Sequence, residues 1–152
     1  YKKKIINIIY LGPAWDDWSN YNNSYTSVLE GLVVRPYEEK VTGDISNTSM
    51  LDEEFTNINM MIKYYKFGFG RATDILNEYI REGRISRLNA TKIAKKYDGI
   101  CSDKIIKKFC KYISISEKEF WLTVKKHSNS KIFDLSKKKP KRKFEVGENY
   151  KW

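Results

Sequence analysis

A chain of 152 residues with 41% hydrophobic and 14% aromatic side chains is long enough to bury one core, so one domain or one compact piece of one is expected. The formal net charge of +10 has the sign of a nucleic-acid binder, but Lys2, Lys3 and Lys4 at one end and Lys137, Lys138, Lys139, Lys141, Arg142 and Lys143 at the other hold most of it. The body between them is close to neutral. One histidine, His127, two cysteines and no Cys-x-x-Cys exclude a metal cluster of recognisable spacing. The chain also lacks the run of about eighteen apolar residues that a membrane-spanning helix needs.

Taken in order, Lys2 to Tyr10 has a basic start but too short an apolar stretch for a signal peptide, and a reduced, cytoplasmic location is expected. Ile5 to Tyr10 is apolar nearly throughout and reads as one buried strand of a parallel sheet. The chain opens at Tyr1 without an initiator methionine, so it is expected to be part of a longer protein. Asp16 or Asp17 is placed to cap a helix through Trp18, Tyr21, Tyr25, Val28 and Leu29, stopped by Gly31. Leu32 to Pro36 reads as a short extended piece and Val41 to Thr48 as a loop.

From Ser49 onward the pattern is helical. Leu51, Phe55, Ile58, Ile62 and Tyr65 recur at helical spacing, with Ser49 as the expected cap and Asp52, Glu53 and Glu54 against the positive helix end. A second helix is expected over Ala72 to Glu82 with Ile75, Leu76, Tyr79 and Ile80 inward, closed at Gly83. Ser86 opens a third, with Ala90, Ile93, Ala94 and Tyr97 inward and a stop at Gly99. Ser102 or Asp103 opens a fourth through Ile105, Ile106, Phe109, Cys110 and Ile113. Ser116 and Glu119 form a capping box for a fifth that buries Phe120, Trp121 and Val124. Cys101 and Cys110 lie too far apart on one helix to form a disulfide. His127 is expected as a charge partner for a helix end, and residues 136–152 read as a basic, solvated tail beyond a domain of residues 1–135.

Between the first two of these helices stands Lys66-Phe67-Gly68-Phe69-Gly70-Arg71-Ala72-Thr73-Asp74. Gly68 and Gly70 can turn the chain sharply and let a ligand approach the backbone. Free N–H groups at the next helix start, flanked by Lys66 and Arg71, would suit a phosphate or carboxylate, and Asp74 is placed to orient Arg71 or a sugar hydroxyl. A purely structural turn, with Phe67 and Phe69 as core plugs, explains the same pattern. A dinucleotide fingerprint does not, because Thr73 stands where its third glycine belongs and a helix precedes the loop.

That block, with Ile80-Arg81-Glu82-Gly83-Arg84-Ile85-Ser86-Arg87, Tyr97-Asp98-Gly99 and Glu119-Phe120-Trp121, closely resembles the C-terminal part of bacterial N-acetyl sugar amidotransferases. The resemblance runs from about Ser49 to Val124, with a weaker echo at Tyr10-Leu11-Gly12 and Trp15. It implies a mainly α chain with one N-terminal strand, the helical end of an α/β enzyme of the pyrophosphatase-loop (HUP-like) class. Such an enzyme uses ATP with Mg to activate an acetamido oxygen, which ammonia displaces to give an acetamidino sugar for lipopolysaccharide or for pseudaminic or legionaminic acid derivatives on flagellin. The Ser-Gly-Gly-x-Asp-Ser loop of that class is absent, since the chain contains no Gly-Gly pair. This chain alone is therefore expected to be inactive and to bind no cofactor, leaving ATP to the full-length enzyme.

The partners the resemblance implies are a nucleotide sugar or nonulosonic acid substrate, glutaminase and cyclase-like subunits that supply ammonia, and a second copy of the chain. Lys66, Gly68, Gly70, Arg71, Thr73 and Asp74 are the candidate phosphate- or substrate-binding residues, with no residue assigned as catalytic base and no metal ligand. Two other readings remain open: a helical interaction module with basic ends, and nucleic-acid binding through the tail, which lacks the interleaved aromatics that base stacking needs.

Overall fold

The computed structural model describes residues 7–36, 41–49 and 51–148. The chain divides into two compact units at Val34 and Arg35, where the sequence suggested a break near residue 135.

In the first unit, residues 7–10 have no regular structure, and Ile8, Ile9 and Tyr10 are 75%, 77% and 82% exposed. The expected strand is thus not found at its described end, and Ile5 and Ile6 lie outside the described residues. An apolar run becomes a strand only where a second backbone offers it hydrogen bonds, and the described part of this unit offers none. A 3-10 turn, Gly12–Ala14, leads to helix α1, Asn20–Leu29. Ser19, rather than Asp16 or Asp17, caps α1, its hydroxyl accepting the Asn22 N–H at 3.1 Å. Asp17 contributes its carbonyl instead, to the Asn22 side-chain amide at 3.0 Å. Gly31, at φ +98°, follows the helix end.

The second unit holds the helices α2 Thr56–Phe67, α3 Arg71–Arg81, α4 Arg87–Tyr97, α5 Asp103–Tyr112 and α6 Glu117–His127. Ser86, Ser102 and Ser116 cap α4, α5 and α6, each hydroxyl accepting an N–H three residues on, which satisfies a donor the helix leaves free. Helix α2 is different. It begins at Thr56 with no side-chain cap, so Ser49 is no helix cap and Leu51 stays exposed on the surface.

Two apolar clusters hold this unit. The larger joins Ile58, Met61, Tyr64 and Tyr65 of α2, Ile105, Ile106 and Cys110 of α5, Phe120, Trp121 and Val124 of α6, and Cys101, Ile132 and Phe133 outside them. The smaller lies between α3 and α4, where Ala72, Leu76, Ala90 and Ala94 are buried. Both cysteines are unpaired and buried.

Beyond α6, β1 Phe133–Asp134 and β2 Lys141–Arg142 pair antiparallel, Phe133 opposite Arg142 and Asp134 opposite Lys141. Residues 136–148 are therefore not a free tail. Pro140 is buried, the Phe144 ring meets Phe133 edge-on with centroids 5.9 Å apart, and Val146 packs on the α3–α4 cluster. Apolar side chains spaced among the lysines dock, although the lysines dominate the composition.

Candidate functional site

The glycine loop links the two clusters. Helix α2 ends at Gly68, which adopts φ +85° and gives its N–H to the Tyr64 carbonyl at 2.7 Å, a left-handed stop that glycine makes without strain. A Cβ there would also stand 2.9 Å from the Ile132 side chain. Gly70 is extended, at φ −121°, so it is chosen for space rather than for backbone freedom. Its missing Cβ is what admits the Asp98 carboxylate, which would lie 2.9 Å away.

Asp98, just beyond α4, accepts the Thr73 N–H at 3.1 Å and the Thr73 hydroxyl. A carboxylate of the chain itself thus occupies the positive start of α3, the place where the sequence pointed to an external anion. Asp74 forms an ion pair with Lys63 rather than with Arg71, and the Lys63 ammonium lies 4.7 Å from the Phe69 ring centroid. Lys66 is exposed, its Nζ 5.5 Å from the ring centroid of Phe67.

Arg71, the first residue of α3, points elsewhere. Its Nη2 reaches the Ser49 hydroxyl at 3.3 Å, and its Nε is buried with no hydrogen-bond partner. Ser49 belongs to a second loop knotted around Asp44, whose side chain is fully buried. Asp44 accepts from the Ser46 N–H at 3.1 Å, the Ser46 hydroxyl at 2.8 Å, the Ser49 hydroxyl at 3.1 Å and Arg35 Nη2 at 2.5 Å. Arg35 also donates to the Ser49 carbonyl at 2.8 Å, and its Nε too is buried without a partner. Two guanidinium groups therefore converge on one serine, with one carboxylate between them.

Of the residues singled out in the sequence, the structure joins Gly70 and Thr73 to Asp98, and Asp74 to Lys63. Arg71 stands apart from these contacts, with Arg35, Asp44 and Ser49. Those three and Asp98 were missed as site residues. Asp44-Ile45-Ser46 carries the spacing of an Asx turn, a readable sign that the Asp44 carboxylate folds back on its own loop, but nothing local tells that Arg35 and Arg71 meet there.

A cavity of about 520 Å³ is lined among others by Met61, Tyr65, Cys101, Asp103, Trp121 and Lys139. The Lys139 ammonium stands 5.6 Å from the Trp121 ring centroid and 2.8 Å from Asp103, whose carboxyl it holds below the usual range. Burial pushes the Cys101 thiol and the Tyr65 hydroxyl up to about 12, so both stay protonated at neutral pH. Lys143 is likewise engaged, donating to the Ser130 carbonyl at 2.9 Å, so the basic run is in part spent on the protein itself. His127 is the last, exposed residue of α6. Among the described residues there is no group of three or more His, Cys, Asp or Glu side chains able to hold a metal ion, and no helix is long and apolar enough to cross a membrane.

Compared with known proteins, residues 18–149 match the family model described as LPS biosynthesis protein WbpG-like, C-terminal domain. No curated protein and no solved structure matches the chain.

Proposed function

The chain belongs to the WbpG-like C-terminal domain family of LPS biosynthesis proteins, and we propose that it is the C-terminal portion of an ATP-dependent amidotransferase that turns the N-acetyl group of a bacterial sugar into an acetamidino group. The products would serve surface polysaccharide or, as pseudaminic or legionaminic acid derivatives, flagellin glycans. The family match supports the biosynthetic setting. One structural observation supports a binding role for the loop: among the described residues Arg71, which opens α3, has a single hydroxyl as its partner and a buried Nε left over, which is spare donor capacity for an anionic substrate group.

The residues present do not fit ATP itself. The start of α3, which would cradle a phosphate, is filled by Asp98, and the sequence has no Gly-Gly pair. No nucleotide step is therefore assigned to this chain, and the ATP site with its Mg belongs in this reading to the rest of the full-length enzyme. What this chain supplies is position: Gly68 turns the backbone, Gly70 leaves room for Asp98, Asp98 fixes Thr73, Lys63 fixes Asp74, and Arg71 and the exposed Lys66 remain for substrate. The substrate would be a nucleotide sugar or a nonulosonic acid, with ammonia delivered by glutaminase and cyclase-like partners.

The test is chemical. Full-length enzyme given ATP, Mg, ammonium and a panel of UDP-N-acetyl sugars and N-acetylated nonulosonic acids should replace one acetamido oxygen by NH, read by mass spectrometry. ATP turnover without any amidino product across the panel would contradict the proposal. A second reading, an interaction module, is favoured by α1, which has no buried residue and leaves Tyr25, Val28 and Leu29 58%, 43% and 68% exposed. That reading predicts partner capture by residues 18–34 and no need for Arg71.

A further inference from the structure

We infer that Arg35 and Arg71 form one composite site for a phosphoryl dianion, with Ser49 at its floor and Asp44 as the built-in counter-charge of Arg35. The inference rests on the reading of Arg71 as an anion donor and adds to it a second donor, a ligand charge and a location away from the helix start.

Three observations converge on it. Both guanidinium groups reach the same residue, Arg35 Nη2 at the Ser49 carbonyl, 2.8 Å, and Arg71 Nη2 at the Ser49 hydroxyl, 3.3 Å. Both Nε atoms are buried with no hydrogen-bond partner, and an unmet buried donor is a cost that proteins normally avoid. The charge count is also uneven: among the described residues Asp44 is the carboxylate within ion-pair distance of Arg35, and Arg71 has none. Two adjacent cations with one anion repel each other, and a bound ligand would both relieve that repulsion and take up the idle N–H groups.

Asp44 itself is no competitor for those donors. Four hydrogen bonds already hold it, two from Ser46 and one each from Ser49 and Arg35. The ligand should be a phosphoryl group rather than a carboxylate, because two guanidinium forks present donors for at least three oxygens and the site lacks a second negative charge. In a sugar-modifying enzyme such a group would belong to a nucleotide sugar or to a released phosphate. The shared chemistry is the phosphoryl oxygens, and the two sources separate by affinity.

The experiment follows the arginine Nε–H signals in nitrogen-15 spectra of this 152-residue chain during titration with inorganic phosphate, UDP-N-acetylglucosamine and, as the carboxylate control, acetate. Arg35→Lys and Arg71→Lys assign the two signals. Both signals should shift with one common dissociation constant for phosphate or for the nucleotide sugar, and neither should shift with acetate at equal ionic strength. Tighter binding of the nucleotide sugar identifies the substrate as the source; equal binding identifies free phosphate. Arg71→Lys should weaken binding at least tenfold. Should Arg35→Lys fail to fold, Asp44→Asn replaces it: removing the counter-charge should tighten phosphate binding several-fold, which a merely structural Arg35–Asp44 pair would not do. Movement of the Arg71 signal alone, equal response to acetate, or no response to any ligand overturns the inference. Amidination by the full-length enzyme is measured separately, so the proposed function can stand when this site fails.

Discussion

Around Phe133 the core is made of rings. Tyr64 and Tyr65 meet it edge-on at centroid distances of 5.1 and 5.4 Å, Phe144 at 5.9 Å, and Trp121 meets Tyr65 at 6.4 Å and Phe120 at 5.3 Å. Between α3 and α4 the buried side chains are Ala72, Leu76, Ala90 and Ala94. The first packing draws its strength from large apolar areas taken out of water. The second draws it from close approach of two helix backbones, which small residues permit. The glycine loop joins the two, with Gly68 against Ile132 of the ring core and Gly70 against Asp98 at the end of α4. The site arginine thus sits where a helix anchored by its rings hands over to one anchored by its alanines.

The comparison breaks most visibly by deletion in the ring core. Phe133 is 0% exposed, and Phe133→Ala should cost about 3–5 kcal/mol, with Trp121→Ala in the same range. Urea unfolding reads it directly, and a loss under about 1 kcal/mol would place these rings outside the core.

Alkali should loosen the same core. Burial raises Cys101 from 9.0 and Tyr65 from 10.0 to about 12. Because the folded values lie above the unfolded ones, their contribution to stability is complete below pH 9 and is lost as the pH climbs to 12. The loss is on the order of 3–4 kcal/mol for each group taken alone, and urea midpoints measured across that window should fall steadily; midpoints that hold to pH 12 would show that neither group is sealed from water.

The alanine seam should respond to the opposite insult. Ala72, 0% exposed, is the most deeply buried alanine of the seam, so Ala72→Leu should cost about 1–3 kcal/mol, whereas a loosely packed seam would gain stability from the added apolar area. At the handover, Gly70→Ala should cost about 1 kcal/mol by displacing Asp98 from Thr73, and amide exchange at Thr73 should quicken with it. Unchanged exchange would show that Asp98 does not depend on the missing Cβ.

How far these features were readable follows from how local their causes are. The serine caps of α4, α5 and α6 and the glycines that end helices lie within a few residues of what they control, and so α3 to α6 emerge at nearly their observed limits. The start of α2 was misplaced because Ser49 has cap chemistry but is drawn off by Asp44 and Arg71, a tertiary demand that outweighs a local preference. The expected strand at residues 5–10 depended on a partner backbone that no sequence window reports. Phe144 and Val146 were hidden by six neighbouring cations, since a composition average does not weigh a single ring against Phe133. The candidate site was legible as a loop and illegible as a set of contacts: Asp98 reaches Thr73 from 25 residues away and Ser49 reaches Arg71 from 22.

The central claim is that the loop presents Arg71 to a substrate anion rather than to the fold, and Arg71→Ala in the full-length enzyme tests it most directly, with melting temperature and amidination turnover measured on one preparation. Loss of a charge-assisted donor to a buried anion is worth about 1.5–3 kcal/mol, or about tenfold to a hundredfold in rate. The account predicts that fall in turnover per folded molecule with a melting temperature within about 2 °C of the parent, because among the described residues the bond lost is the 3.3 Å contact to Ser49. Unchanged turnover per folded molecule, or a fall that merely tracks a lower melting temperature, would contradict it and return the glycine loop to a structural turn.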